Sequence, residues 1–185
     1  MNDVNPQSSI DIDHLDFSTK HFVLAEKHLG EDLDELTIIL KSHLLIEELL
    51  RDFCEYSVGH PKYLRDARLS FKQILCLARS IYTLNVPRLE WTWGAVNSLN
   101  TMRNLMAHAI EPDEKKYGMA RDVIIKEVMS HTSQVVPEVP TFQGAVSYLY
   151  GVFGCQLQSD LILKAGGTTA QIPRPADPSP HPAAD

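Results

Sequence analysis

Leu33, Leu36, Ile39, Leu40, Ile46, Leu50 and Cys54 recur at helical spacing across residues 31–57. Apolar residues every three or four positions line one side of an α-helix, whereas a half-buried strand needs strict alternation. The acidic start of that segment, Glu31-Asp32 with Asp34-Glu35, suits the positive end of a helix dipole, and Gly59 and Pro61 close it. The same spacing returns along the chain. Phe22, Leu24, Ala25 and Leu29 follow Asp16 or Ser18 as caps and end at Gly30. Leu64, Ala67, Phe71, Ile74, Leu75, Ala78 and Ile81 predict a helix over 62–84. Ala95, Leu99, Met102, Met106 and Ala109 predict one over 87–109. Met119, Val123, Ile124, Val128 and Met129 predict one over 113–132. Val146, Leu149, Tyr150, Phe153, Leu157 and Leu161 predict a last one over 142–164. Alternation is confined to a brief stretch at 134–139. The fold class expected is all-α, an antiparallel bundle of about five to six helices.

The expected organisation is a loose N-terminus over residues 1–15, one bundle domain over 16–165, and a tail over 166–185. Pro173, Pro175, Pro178, Pro180 and Pro182 crowd that tail, which is expected to be disordered. No apolar run approaches the about 20 residues that span a bilayer, so no membrane partner is expected. The polar, acidic start lacks the basic and apolar regions of a signal peptide, which points to the cytoplasm. Three cysteines, Cys54, Cys76 and Cys155, are far apart and form no CxxC pair, so they read as small apolar residues within helices. A formal net charge of -7 argues against tight non-specific binding to nucleic acid but leaves room for a local basic site.

The polar side of the segment at 87–109 departs from an ordinary solvated face. Asn97, Thr101, Asn104 and His108 fall four, three and four apart, with Asn100 and Arg103 flanking them. Solvated faces favour Glu and Lys, and asparagine costs helix stability, so a polar network or a ligand site is expected to compensate. Arg103 and His108 are about 140° apart around a regular helix, so they converge only if the helix tightens or across a two-fold axis. On the second helix His43 and Glu47 sit inside the arc of Leu36, Leu40, Leu50 and Cys54. A carboxylate in such an arc needs a partner, and Arg103 is the natural one, whether for structure or for function. Lys62, Arg65, Lys72 and Arg79, with Arg68 nearby, fall at steps of three, seven and seven and so form one basic stripe, which reads as a solvated face or as a surface for RNA phosphates.

The Arg103-Asn104-Leu105-Met106-Ala107-His108 segment resembles the Arg-x4-to-6-His motif of the HEPN superfamily, in which a polar residue commonly follows the Arg. The flanking Ala67-Arg68-Leu69-Ser70-Phe71, Leu75, Leu77-Ala78 and Leu99-Asn100 resemble stand-alone bacterial HEPN-like proteins, over about residues 33–130. The resemblance implies metal-independent cleavage of RNA by a toxin or phage-defence endoribonuclease, with no cofactor. It implies a homodimer whose two motifs form one cleft. It gives His108 the role of general acid or base, Arg103 that of phosphate clamp and Asn104 that of an orienting residue. Glu47 would take the polar position some members carry in an earlier helix, and Arg65, Arg68, Lys72 and Arg79 would face RNA. An antitoxin or regulatory protein is a possible partner in this family. Some family toxins carry a modifiable Tyr two residues after the His; here that position is Ile110.

Two other readings stay open at the level of sequence. One is a non-catalytic regulatory or ligand-binding bundle like those of mannitol operon repressor-like proteins. The other is a metal site using His43, Glu47 and His108, for which the spacing is unspecific.

Overall fold

A computed structural model describes residues 13–30, 33–108, 111–132 and 141–166. The described residues form seven α-helices: α1 (Asp13–Leu29), α2 (Glu35–Ser57), α3 (Pro61–Asp66), α4 (Phe71–Ile81), α5 (Trp91–His108), α6 (Glu114–Thr132) and α7 (Phe142–Lys164). A 3-10 turn at Pro87–Leu89 leads into α5. No strand occurs among the described residues, and the fold is the all-α bundle that the periodicity predicts. None of these helices is long and apolar enough to cross a membrane. Most of the expected tail, the brief alternating stretch and residues 1–12 lie outside the described residues.

Cross-helix contacts fix the directions. Lys20 of α1 reaches Asp52 near the end of α2 at 2.7 Å, so these helices are antiparallel. Gln143, near the start of α7, donates to the carbonyl of Leu29 at the end of α1 at 2.9 Å. Trp91, opening α5, stacks on His131 near the end of α6 at 4.8 Å between ring centroids. Thr92 donates to Gln156 late in α7 at 2.7 Å. α2 and α7 run side by side in one direction, tied at Leu33–Gln143 and again at Ser57–Lys164. Around this pair Ile39, Ile46, Leu49, Leu50, Phe53, Leu149, Phe153 and Leu157 are fully buried. Each such side chain contributes about 1.5–3 kcal/mol of transfer free energy.

Helix starts follow local chemistry. The Asp34 carboxylate accepts from the Thr37 amide at 3.0 Å, which moves the start of α2 past the acidic run at 31–32. Thr141 accepts from Gly144 at 3.1 Å to open α7.

The expected single helix over 62–84 is two helices. α3 ends at Asp66, Arg68 adopts a left-handed φ of 48°, and Ser70 begins α4 with its amide bonded to the Gln73 side chain at 2.9 Å. The Ser70-x-x-Gln73 pattern is a helix start, and it outweighs the continuing apolar period. The extra helix brings the count above the expected five to six.

Two faces are rotated from their expected phase. In α6 the buried positions are Ala120, Ile124, Val128 and Thr132, while Met119, Val123 and Met129 are exposed. In α1 Phe17, His21 and Leu29 are buried, and Phe22 stands 69% exposed. Cys54 is in the core, where burial pushes its thiol up to about 12. Cys76 and Cys155 are exposed rather than packed inside.

Candidate functional site

The polar face of α5 meets α2 at Asn100 and α4 at Asn97, while Thr101 and His108 on the same face stay exposed. The arc of α2 that holds Leu36, Leu40, His43, Leu44 and Glu47 spans about 100°. At its N-terminal end that arc is uncovered, with Leu36 and Leu40 45% and 43% exposed. At His43 it is covered, because α4 and α5 cross there. The imidazole is 5% exposed and stacks on Phe71 of α4 at 4.3 Å between centroids, with 27° between planes. Its Nε2 lies 3.1 Å from Oδ1 of Asn100 on α5. The amide oxygen can only accept, so Nε2 carries the hydrogen and donates it. Burial holds this imidazole below its ordinary value; the Asn100 bond and Glu47 act against that, and the Arg103 charge adds to it.

Glu47 does not pair with Arg103. Its Oε1 accepts from Arg51, one turn further along α2, at 2.6 Å and 3.2 Å, and its Oε2 lies 4.0 Å from Nδ1 of His43. The i,i+4 neighbour reaches the carboxylate without crossing between helices, which is why it takes the partnership that the apolar arc suggested for α5. Arg51 also donates to the Leu69 carbonyl at 2.6 Å, inside the turn between α3 and α4. Arg103 is half-buried and donates instead to Oδ1 of Asn104 at 3.2 Å. His108 is the last residue of α5 and is exposed. α5 is regular up to that residue, so Arg103 and His108 keep their separation around the helix.

The basic residues divide into two sets. Arg65 is paired with Glu55 at 2.6 Å and Arg79 with Glu90 at 3.0 Å, both at the surface. Arg68 is exposed in the α3–α4 turn, and Lys72 on α4 donates to Asn97 on α5 at 2.8 Å. The break at Arg68 separates Arg65 from Lys72 and Arg79, so these residues do not form one stripe. Lys72 borders the α5 amide face at Asn97 and Arg103 stands on that face, while Arg51 neutralises Glu47 beside His43. Among the described residues no cluster of three or more His, Cys, Asp or Glu could hold a metal ion, so His43, Glu47 and His108 are not gathered as ligands.

Helical spacing alone marks Asn97, Asn100, Arg103, Asn104 and His108 as a face, and His43 with Glu47 as a facing pair. Arg51 was not among the residues expected, although Glu47 and Arg51 stand in the favourable i,i+4 order with the acid first. Spacing does not mark Phe71 and Lys72 as neighbours of that face either, since both depend on the start of α4 at Ser70.

A second polar cluster lies away from this face. His21, buried in α1, has Nε2 3.0 Å from Asp52 and Nδ1 3.2 Å from the Tyr150 hydroxyl. Burial alone would raise the Asp52 carboxyl, but its bonds from His21 and Lys20 outweigh that and hold it below the usual range. This cluster ties α1 to α2 and α7.

No family model, no curated protein and no solved structure matches the chain.

Proposed function

We propose that the chain is a HEPN-type endoribonuclease of the toxin or phage-defence kind, acting in the cytoplasm as a homodimer. The observation that carries this reading is the end of α5. There an exposed His108 closes the helix, and a half-buried Arg103, bonded to Asn104, sits just over one turn before it. In this reading Arg103 grips the phosphate and stabilises its developing charge, Asn104 orients the guanidinium, and His108 moves a proton to or from the 2′-hydroxyl or the leaving oxygen. Glu47 acts through Arg51 and His43 rather than on RNA. Arg68 and Lys72 would meet RNA beside the α5 face, whereas Arg65 and Arg79 must exchange surface ion pairs for phosphate.

A two-fold partner resolves the separation of Arg103 and His108, because one copy supplies the Arg that faces the other copy's His. The uncovered Leu36, Leu40 and Leu44 on α2, 43–65% exposed, support a partner on this side of the bundle. An antitoxin or regulatory protein would act by covering the same side.

A non-catalytic regulatory bundle is the second reading. It is favoured by the bond that closes Arg103 on Asn104 within one chain, which engages a donor that an RNA phosphate would need.

Expression of wild type and His108→Ala in parallel separates the two. The nuclease reading expects growth arrest with wild type alone, and a dimer by sedimentation for both proteins. Equal growth with both proteins, or a monomer at working concentration, counts against it.

A further inference from the structure

We propose that His43 is a proton-linked positioning residue of the α5 site: it is neutral when no anion is bound, and takes up a proton when a phosphodiester or other oxyanion settles against Arg103. This inference rests on the reading of Arg103 as the anion-binding cation and not on cleavage by His108.

The geometry fixes what the ring can do. Phe71 stacked on one face and 5% exposure prevent the imidazole from turning out to water. Nε2 is committed as donor to Asn100. In the neutral ring Nδ1 is therefore an acceptor, and it points toward Oε2 of Glu47, which is also an acceptor, at 4.0 Å. A proton arriving from solvent has one place to go, the Nδ1 lone pair. Once there, it can be donated to Glu47 if the two atoms approach by about 1 Å. Glu47 would then bridge His43 and Arg51, since its other oxygen already holds Arg51.

The charged groups facing the ring are few and act in opposite senses. On its own helix Glu47 favours the imidazolium, with Arg51 beyond it. From α5, Arg103 opposes it. α4 presents the uncharged Phe71 ring, and Lys72 beside it is bonded away at Asn97. Burial is the largest influence against the imidazolium and stays in place, but an anion bound to Arg103 offsets the charge that adds to it and brings an attraction of its own, so protonation of Nδ1 becomes easier. Linkage makes the effect reciprocal: the protonated form binds the anion more tightly by the same factor that the anion shifts the proton equilibrium. His43 thereby lends charge to the site without touching the ligand.

Histidine-selective NMR of the full chain tests this, with sulfate as the probe because its charge is constant across the range, and with ionic strength held by chloride. The expected result is a His43 midpoint below 6.5 in chloride that rises by roughly 0.5 unit or more in saturating sulfate. Sulfate affinity should rise about threefold or more as pH falls through that midpoint, and His43→Gln, which keeps a donor for Asn100, should flatten the dependence. Arg103→Gln should raise the midpoint in chloride and abolish the response to sulfate. The idea is overturned if sulfate leaves the His43 midpoint unmoved, or if Arg103→Gln leaves the response intact. The same titration on His108→Ala keeps the two readings apart. Coupling retained there, with RNA left intact by wild type, would sink the ribonuclease reading alone.

Discussion

Arg51 holds Glu47 at 2.6 Å, one turn along the same helix, and with its second contact fastens the carbonyl of Leu69 at 2.6 Å. One guanidinium thus joins the middle of α2 to the turn that starts α4, and so sets where Phe71 and Lys72 stand beside α5.

Removal of that guanidinium should loosen the turn and strand the carboxylate. Arg51→Met is expected to lose about 1–2 kcal/mol in urea denaturation, with Arg51→Lys recovering part of it, because an ammonium can replace the Nη2 donor to Glu47 and Leu69 but not the Nε donor to Glu47. An unchanged midpoint for Arg51→Met would remove Arg51 from this account.

The buried His43 gives stability a pH dependence with a definite sign. Its folded value lies below the unfolded value near 6.5, so on acidification the unfolded chain takes up the proton first. Its contribution is therefore complete above 6.5 and is lost progressively as pH falls from 6.5 toward the lower folded value. Urea midpoints across this window should fall more steeply for wild type than for His43→Gln. Parallel curves would show that His43 does not carry the dependence.

Asp160 on α7 closes the chain after α4. It is fully buried, accepts from the Thr83 and Leu84 amides at 2.8 Å each, and is paired with Lys164 at 2.6 Å. Burial works to raise its carboxyl, but Lys164 and the Thr83 and Leu84 donors outweigh that. Asp160→Ala should cost about 2 kcal/mol or more, because two part-buried amides and an ammonium lose their acceptor. A loss below about 1 kcal/mol would mean that water takes its place.

The elements most legible in the sequence are those whose apolar period has no competitor. α7 is bounded as its pattern predicts, and Val146, Leu149, Tyr150, Phe153, Leu157 and Leu161 are all buried. Where apolar residues lie on two sides, period alone does not choose the buried one. In α6 the small Ala120 allows close packing, so Ile124 and Val128 turn inward with it and Met119 and Val123 turn out. On α2 the arc that looks continuous in sequence is covered at His43 and open at Leu36, because only tertiary crossing decides which part of a stripe is core. The α5 face was legible as an amide-rich exception to helix propensity. Arg51 was legible from its i,i+4 spacing to Glu47, whereas Phe71 and Lys72 owe their places to the break at Arg68, where a short capping signal overrides a long apolar pattern.

The central claim, that Arg103 and His108 form a ribonuclease site, is tested most directly by incubating purified wild type and His108→Ala with a diverse RNA pool in excess chelator. The account predicts cleavage by wild type without added metal and a loss of about 100-fold or more in His108→Ala. RNA left intact by wild type, or cut equally by both proteins, would contradict it.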